Sequence, residues 1–116
     1  MRIFKELVFE AAHRLPNVAP THRCYNLHGH TFRCRIECEG PLDAHLGWVV
    51  DFADVDAHVA PLVKQLDHRY LNDVPGLENP TSEVIAAWIL ARLRATSLPV
   101  KSVTICENDS SGAIAE

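Results

Sequence analysis

Long apolar runs are missing from this sequence of 116 residues, and no stretch approaches the ~20 apolar residues that a membrane-spanning helix needs. The N-terminal residues MRIFKELVFE carry charges too close together for a secretory signal peptide. Internal repeats, low-complexity tracts and linkers are also missing. We therefore expect a single cytoplasmic domain over residues 1–116, without membrane contact.

Basic charge is scarce, since 11 Lys and Arg stand against 15 Asp and Glu, for a net charge of −4. Non-specific binding to nucleic acid depends on Lys and Arg that neutralise phosphates, so we expect no nucleic-acid partner. A reducing compartment should keep the 4 cysteines as thiols. Cys34 and Cys38 lie on one predicted strand, ~13 Å apart at ~3.3 Å per residue, which is too far for a disulfide.

Apolar alternation predicts the strands. Residues 2–13 are rich in branched and aromatic side chains, and residues 30–39 alternate apolar with polar or charged side chains. The second pattern is typical of a strand with one buried face. Residues 98–108 return to a strand pattern, and SGAIAE predicts a short fourth strand.

Two helices are predicted between these pairs of strands. Residues 54–66 carry an apolar stripe that Pro61 should kink, and a second helix should follow the capping segment NPTSE. The intervening LDHRYLNDVPGLENP has the composition of a loop. The order β-β-α-α-β-β gives an α+β fold, in which two helices cover one face of an antiparallel four-stranded sheet.

Three histidines are predicted to meet at one corner of that sheet. Alternation places His28 and His30 on one face, with Cβ atoms roughly 6–7 Å apart, and His13 ends the neighbouring strand. Three neutral imidazoles suit zinc, and three protein ligands leave a fourth position open, as in catalytic zinc sites. The alternative is that these histidines only end two strands and meet solvent.

Other candidate residues admit both a chemical and a structural interpretation. Cys24 is a fourth metal ligand, an inert thiol, or a reactive base or nucleophile. Asp67 and His68 are an acid/base pair or a solvated dipeptide in a polar loop. Glu107 falls on the apolar side of a strand, where a carboxylate needs either binding partners or the strand's exposed end.

Several short motifs follow one another along the chain: FEAAHRLP, CYNLHGHTF, GWVVDF, LDHRYLND, GLENPTSE and ICEN. Together they resemble the 6-pyruvoyltetrahydropterin synthase / 6-carboxytetrahydropterin synthase family, from about residue 4 to the last residue. The resemblance implies the tunnelling fold (T-fold), in which the sheets of three subunits join into a barrel. Two such rings stack, so a homohexamer with interfacial active sites is expected.

The resemblance also implies a role for each candidate residue. The histidines become zinc ligands, Cys24 becomes the general base, and Asp67 with His68 becomes a proton relay supplied across a subunit boundary. Glu107 becomes the pterin anchor. The full predicted set is His13, His28 and His30 for Zn²⁺, Cys24, Asp67 and His68 for catalysis, and Glu107, Thr81 and Arg14 for substrate binding.

The spacing between Cys24 and His28 resembles that of the bacterial carboxy-forming branch of this family. That branch converts 7,8-dihydroneopterin triphosphate into 6-carboxytetrahydropterin, acetaldehyde and triphosphate, as a step towards queuosine and related deazapurines. Two alternatives stay open. One is a pyruvoyl-forming or related pterin side-chain enzyme on the same scaffold, and the other is a non-enzymatic module whose zinc is closed by Cys24.

Overall fold

The computed structural model describes all 116 residues and contains five strands and two α-helices. The strands are β1 (Arg2–His13), β2 (His28–Glu39), β3 (Arg69–Tyr70), β4 (Val100–Cys106) and β5 (Gly112–Ala115), and the helices are α1 (Phe52–Leu66) and α2 (Ser82–Arg94). The α+β class is confirmed, as are the four predicted strands and both helices. Neither helix is long and apolar enough to cross a membrane.

The sheet has the order β3-β1-β2-β4-β5 and is built around the long antiparallel pair β1 and β2. Their register places Phe9 opposite Phe32 and His13 opposite His28, so equivalent faces of the two strands coincide. The two phenylalanine rings stack with centroids 5.1 Å apart. This pairing buries the apolar face of both strands and brings the predicted histidines to one corner of the sheet.

The strand β3 corrects the predicted four-stranded sheet. It contains only two residues and pairs in parallel with the end of β1, inside the segment that was predicted to be a loop. Two residues carry no periodic pattern, so this strand depends on neighbouring contacts. The backbone of Glu10 donates to Asp67 Oδ1 at 2.9 Å and accepts from the N–H of His68. His68 adopts φ 56, a left-handed conformation that turns the chain from α1 into β3.

Both helices begin at a capping side chain. Asp51 accepts from the backbone N–H of Ala53 at the start of α1, and Thr81 accepts from Val84 at the start of α2. The helix α1 is continuous through Pro61. Apolar residues of both helices pack with the inner face of the sheet into one core of 20 buried residues. The beginning of α2 lies near the histidine corner, because Pro80 hydrogen-bonds to His13.

Candidate metal centre and active site

The three predicted histidines form a cluster between the end of β1 and the start of β2. His13, His28 and His30 each offer a ligand atom, and these atoms lie within 4.8 Å of one another. His13 is only 1% exposed. The expectation that the three imidazoles face one another is therefore confirmed, and they could hold a metal ion.

Backbone carbonyls hold two of these rings in a ligating orientation. Nδ1 of His13 lies 2.8 Å from the carbonyl oxygen of Pro80, and Nδ1 of His28 lies 2.7 Å from that of Asn26. A carbonyl only accepts, so each Nδ1 carries the proton and each neutral ring presents the lone pair of Nε2. This arrangement is the one that metal-binding histidines use to fix their tautomer and orientation.

Two ring nitrogens in the cluster have no hydrogen-bond partner. They are Nε2 of His13 and Nε2 of His30, and both are buried. A buried polar atom without a partner is uncommon and calls for an explanation such as an ion. Three converging imidazoles with two such nitrogens fit a metal held by three protein ligands.

Burial also favours the protonation state that binds metal. Removal from solvent lowers the pKa of His13 and that of His30 below the ordinary value of 6.5, and the neighbouring His28 lowers both further. Neutral imidazole is the form that ligates a metal. The lowered pKa of these two rings therefore favours binding of a metal ion over binding of protons.

Glu107 lies beside this cluster, directly after β4. Its Oε1 accepts a 3.0 Å hydrogen bond from Ser82 Oγ, and its Oε2 lies 3.7 Å from Nε2 of His30. The carboxylate is about a quarter exposed, at 27%. Glu107 thus has a partner on α2 and keeps one oxygen towards the histidines, which supports the chemical interpretation over simple solvation of a strand end.

Sequence reasoning missed Ser82, which is the first residue of α2 and follows the predicted Thr81. The hydroxyl oxygen of Thr81 caps α2, accepting from the N–H of Val84 at 3.2 Å. The only sequence signal for Ser82 was its place in the capping segment NPTSE. Thr81 keeps its hydroxyl proton for another acceptor, and its substrate contact stays a prediction.

Cys24 lies in a single 3-10 turn, Arg23–Tyr25, that is attached to the chain just after β1. The N–H of Leu15 donates to the carbonyl of Cys24 at 2.8 Å, and the N–H of Cys24 donates to Nδ1 of His22 at 3.1 Å. The thiol is free and half-buried. Cys24 is not among the groups close enough to share a metal with the three histidines, which disfavours a closed site with four protein ligands.

The side chain of Arg14 supports the same turn. Its Nε donates to the carbonyl of Tyr25 at 3.1 Å, and its guanidinium carbon lies 4.5 Å from the centre of the Tyr25 ring. These contacts give Arg14 a structural role next to His13. Its predicted contact with substrate is not visible in the chain alone and stays a prediction.

Nδ1 of His68 lies 2.9 Å from Oδ2 of Asp67 at the outer edge of β1. The N–H of Glu10 and then the His68 ring lower the pKa of the Asp67 carboxyl, so Asp67 is held as a carboxylate. The His68 side chain is 78% exposed. Neither residue makes a hydrogen bond or ion pair with the histidine cluster or Cys24, so one chain alone does not assemble all the predicted catalytic residues.

The fold agrees with comparisons with known proteins. The family model of 6-pyruvoyl tetrahydropterin synthase matches residues 2–116. The chain belongs to this family. A 6-carboxy-5,6,7,8-tetrahydropterin synthase from Synechocystis is 47% identical over 96% of this chain and 89% of the relative.

Two other comparisons concern a relative named for a different reaction and a solved structure with the same fold. A dihydroneopterin monophosphate aldolase from Pyrococcus furiosus is 35% identical over 96% of this chain and 93% of its own. The structure of Caenorhabditis elegans 6-pyruvoyl tetrahydropterin synthase superposes with a TM-score of 0.92 at 26% identity, covering 100% of this chain and 94% of that one. The fold expected of a single T-fold subunit is confirmed, while the assembly and the reaction must be proposed separately.

Proposed function

We propose that this chain is a zinc-dependent lyase that converts 7,8-dihydroneopterin triphosphate into 6-carboxy-5,6,7,8-tetrahydropterin, acetaldehyde and triphosphate. The product would enter queuosine and related 7-deazapurine biosynthesis. The observation that carries the proposal is the 47% identity to a 6-carboxy-5,6,7,8-tetrahydropterin synthase over nearly the whole of both chains. The histidine cluster and the adjacent carboxylate support it chemically.

The histidine cluster would hold the zinc. When bound, a zinc ion supplies Lewis-acid polarisation of the oxygens on a hydroxylated substrate side chain. His13, His28 and His30 leave room for such an oxygen, because they are three ligands and tetrahedral zinc takes four. The carbonyl partners of His13 and His28 would keep those two rings aligned through turnover.

Cys24 would move protons of the substrate side chain. Its turn is attached at Leu15, two residues after the ligand His13, and its thiol is not consumed by a disulfide. Asp67 and His68 would form the proton relay: the carboxylate orients the imidazole, and the exposed imidazole exchanges a proton with the thiol of another subunit. This division of labour explains why the pair lies apart from the histidines within one chain.

Glu107 would anchor the pterin ring, with Thr81 and Arg14 as further substrate-binding residues. A pterin presents a 2-amino group and a ring N–H side by side, and a carboxylate accepts two parallel donors. Ser82 already occupies one lone pair of Oε1 and holds the carboxylate in place. Thr81 lies at the start of the same helix, and Arg14 follows the ligand His13.

The working enzyme would be a homohexamer of two stacked trimers in the cytoplasm. The sheet supports this assembly because both of its edges are open. β5 has no outer neighbour, and the two-residue β3 covers only the end of β1. Open strand edges readily pair with another chain. Light scattering coupled to size exclusion would measure the number of subunits.

A second candidate is cleavage of a pterin side chain by an aldolase reaction. It is favoured by the 35% identity to the dihydroneopterin monophosphate aldolase, which covers almost both chains. A pyruvoyl-forming reaction is the third, because the family model carries that name. A non-enzymatic zinc module has less support, since Cys24 does not join the ligand cluster.

Product analysis tests these candidates directly. The zinc-loaded protein would be incubated with dihydroneopterin triphosphate and, separately, with the monophosphate, and the products identified by mass spectrometry. A 6-carboxy product with acetaldehyde from the triphosphate supports the proposal. A pyruvoyl product, or aldol cleavage of the monophosphate alone, would replace it with one of the alternatives, and no turnover of either would favour the non-enzymatic module.

A further inference from the structure

Asn72 lies in the 3-10 turn Leu71–Asp73, and its side-chain amide forms two hydrogen bonds with the backbone of Arg14. Its Oδ1 accepts from the N–H of Arg14 at 3.0 Å, and its Nδ2 donates to the carbonyl of Arg14 at 2.8 Å. An amide side chain offers an acceptor and a donor side by side, which an ionised carboxylate does not. The pairing of β1 with β2 ends at His13, so this side chain extends the hydrogen bonding of β1 by one residue.

The backbone of Arg14 stands between two parts of the proposed active site. His13 precedes it and is the buried member of the histidine cluster. Leu15 follows it and donates its N–H to the carbonyl of Cys24 at 2.8 Å. The two hydrogen bonds from Asn72 to the Arg14 backbone therefore restrain both the direction in which His13 enters the cluster and the position of the Cys24 turn.

Asn72 also hydrogen-bonds to the segment that contains Pro80, whose carbonyl orients the His13 ring. Its Nδ2 donates to the carbonyl of Glu78 at 3.3 Å, and two residues later the carbonyl of Pro80 binds Nδ1 of His13 at 2.8 Å. The one amide thus connects the backbone that carries His13 to the segment that orients its ring. The connection to Arg14 was not visible in the sequence, because Asn72 and Arg14 lie 58 residues apart.

The geometry points to Asn72 as a positioning residue of the metal centre. It sets the orientation of His13 relative to the other two histidines, and it places the Cys24 turn beside them, without touching metal or substrate. This role rests on the proposed metal site. Loss of a hydrogen-bond partner of a ligating histidine typically costs ~10–100-fold in metal affinity. Asn72 acts one contact further out, through Arg14 and Glu78, so we expect an effect at the lower end of that range.

Cobalt(II) is a suitable probe, because its absorption bands report the geometry of a site that zinc leaves colourless. Metal-free protein would be titrated with Co²⁺ in competition with a chelator. Asn72→Ala should weaken Co²⁺ binding by ~tenfold or more and shift the bands. Asn72→Asp keeps the acceptor for the Arg14 N–H but loses the bonds donated to Arg14 and Glu78, so it should change in the same direction.

Two controls separate positioning from general loss of stability. Asn79→Ala removes a nearby amide whose side chain makes no hydrogen bond, and it should bind Co²⁺ as the wild type does. Val100→Ala trims a partly buried residue that packs on the core at the far end of β4 from Glu107. It should lower the melting temperature but leave the Co²⁺ bands and affinity unchanged.

The outcomes are distinct. Wild-type affinity and bands in both Asn72 variants would overturn the positioning role, as would an equal loss of affinity in Val100→Ala at a matched loss of melting temperature. If Asn72→Ala does not fold, Asn72→Asp decides, since it preserves size and one of the bonds. Absence of Co²⁺ binding by the wild-type chain would instead overturn the metal site itself.

Discussion

His13 and Pro80 are joined by a hydrogen bond of 2.8 Å, from the imidazole Nδ1 to the carbonyl oxygen, although 67 positions separate them in the sequence. Pro80 is buried and immediately precedes Thr81, the residue that caps α2. The orientation of the most buried histidine therefore depends on where α2 begins. The same helix start also supplies Ser82, which holds Glu107. One end of α2 thus organises both the histidine corner and the proposed pterin anchor.

The purified chain should contain about one zinc ion, since the three histidines form a single cluster. His28→Ala should lose the metal and the activity while the fold persists, because His28 is half-buried and is not part of the apolar core. Mass spectrometry measures the loss of metal, and the subunit number from light scattering shows whether the folded assembly persists. His45→Ala, on an exposed loop, is the control and should keep its zinc. Full zinc retention in the alanine variants of all three cluster histidines would disprove the site.

Cys24→Ala should keep its zinc and its fold yet lose turnover by ~10²–10⁴-fold, the usual contribution of an acid–base group. The reason is that Cys24 lies outside the ligand cluster. Single-turnover kinetics and metal analysis on the same sample test both halves of this statement. Cys106→Ala removes the other half-buried thiol and should keep its activity. Release of zinc from Cys24→Ala, without a specific kinetic defect, would mean that the cysteine is a metal ligand.

The long strands and the histidine corner could be predicted because their signal is local. Apolar alternation over residues 30–39 arises whenever one face of a strand is buried, and the same alternation places His28 and His30 together. The third histidine could be added because two consecutive antiparallel strands bring the end of one beside the start of the next.

The remaining features depend on contacts between distant residues. The strand β3 is too short to have a period, and it forms because Asp67 and His68 bind the backbone of Glu10. The roles of Ser82 and Asn72 likewise come from hydrogen bonds over 25 and 58 positions. An isolated Ser or Asn in a capping or loop segment looks the same in sequence whether or not it makes such a bond.

Thiol reactivity should separate the four cysteines into two pairs. Cys34 and Cys38 are each 1% exposed, and burial raises the pKa of Cys34 to about 12, with a smaller contribution from Cys106. A thiol that stays protonated at pH ~8 is a poor nucleophile. Iodoacetamide should therefore label only Cys24 and Cys106 in the native protein and all four after denaturation, as read by peptide mass spectrometry. Native labelling of Cys34 as fast as that of Cys24 would contradict its burial.

The metal-free protein should lose stability as the pH falls from ~7.5 to ~5.5. Burial lowers the pKa of His13 and that of His30 in the folded state. The unfolded chain therefore takes up protons near pH ~6.5, while the folded chain does not until lower pH, and this difference favours unfolding. Carboxyl groups whose pKa is lowered, such as that of Asp67, change the stability of the fold only at more acidic pH.

Melting temperatures of the metal-free protein across that range measure this effect. The double variant His13→Ala/His30→Ala should show a smaller pH dependence than the wild type, because it lacks both buried imidazoles. Zinc-loaded protein should resist acid further, since bound metal stabilises the folded state by mass action. An identical pH dependence in the double variant would show that these two rings do not drive the loss.

Glu107→Gln should weaken the binding of a non-reactive pterin by at least ~2 kcal/mol, or about thirtyfold. Glutamine keeps the shape of the side chain but replaces one acceptor by an N–H donor, which would face an N–H of the pterin. Calorimetric titration measures the affinity, and zinc content should stay unchanged because Glu107 lies 3.7 Å from His30 and is not one of the clustered ligands. Ser82→Ala is the matched control: it keeps the carboxylate but removes the bond to Oε1, so it should cost less than Glu107→Gln. Wild-type affinity in the glutamine variant would mean that the pterin is held elsewhere and that Glu107 only binds Ser82 at the end of a strand.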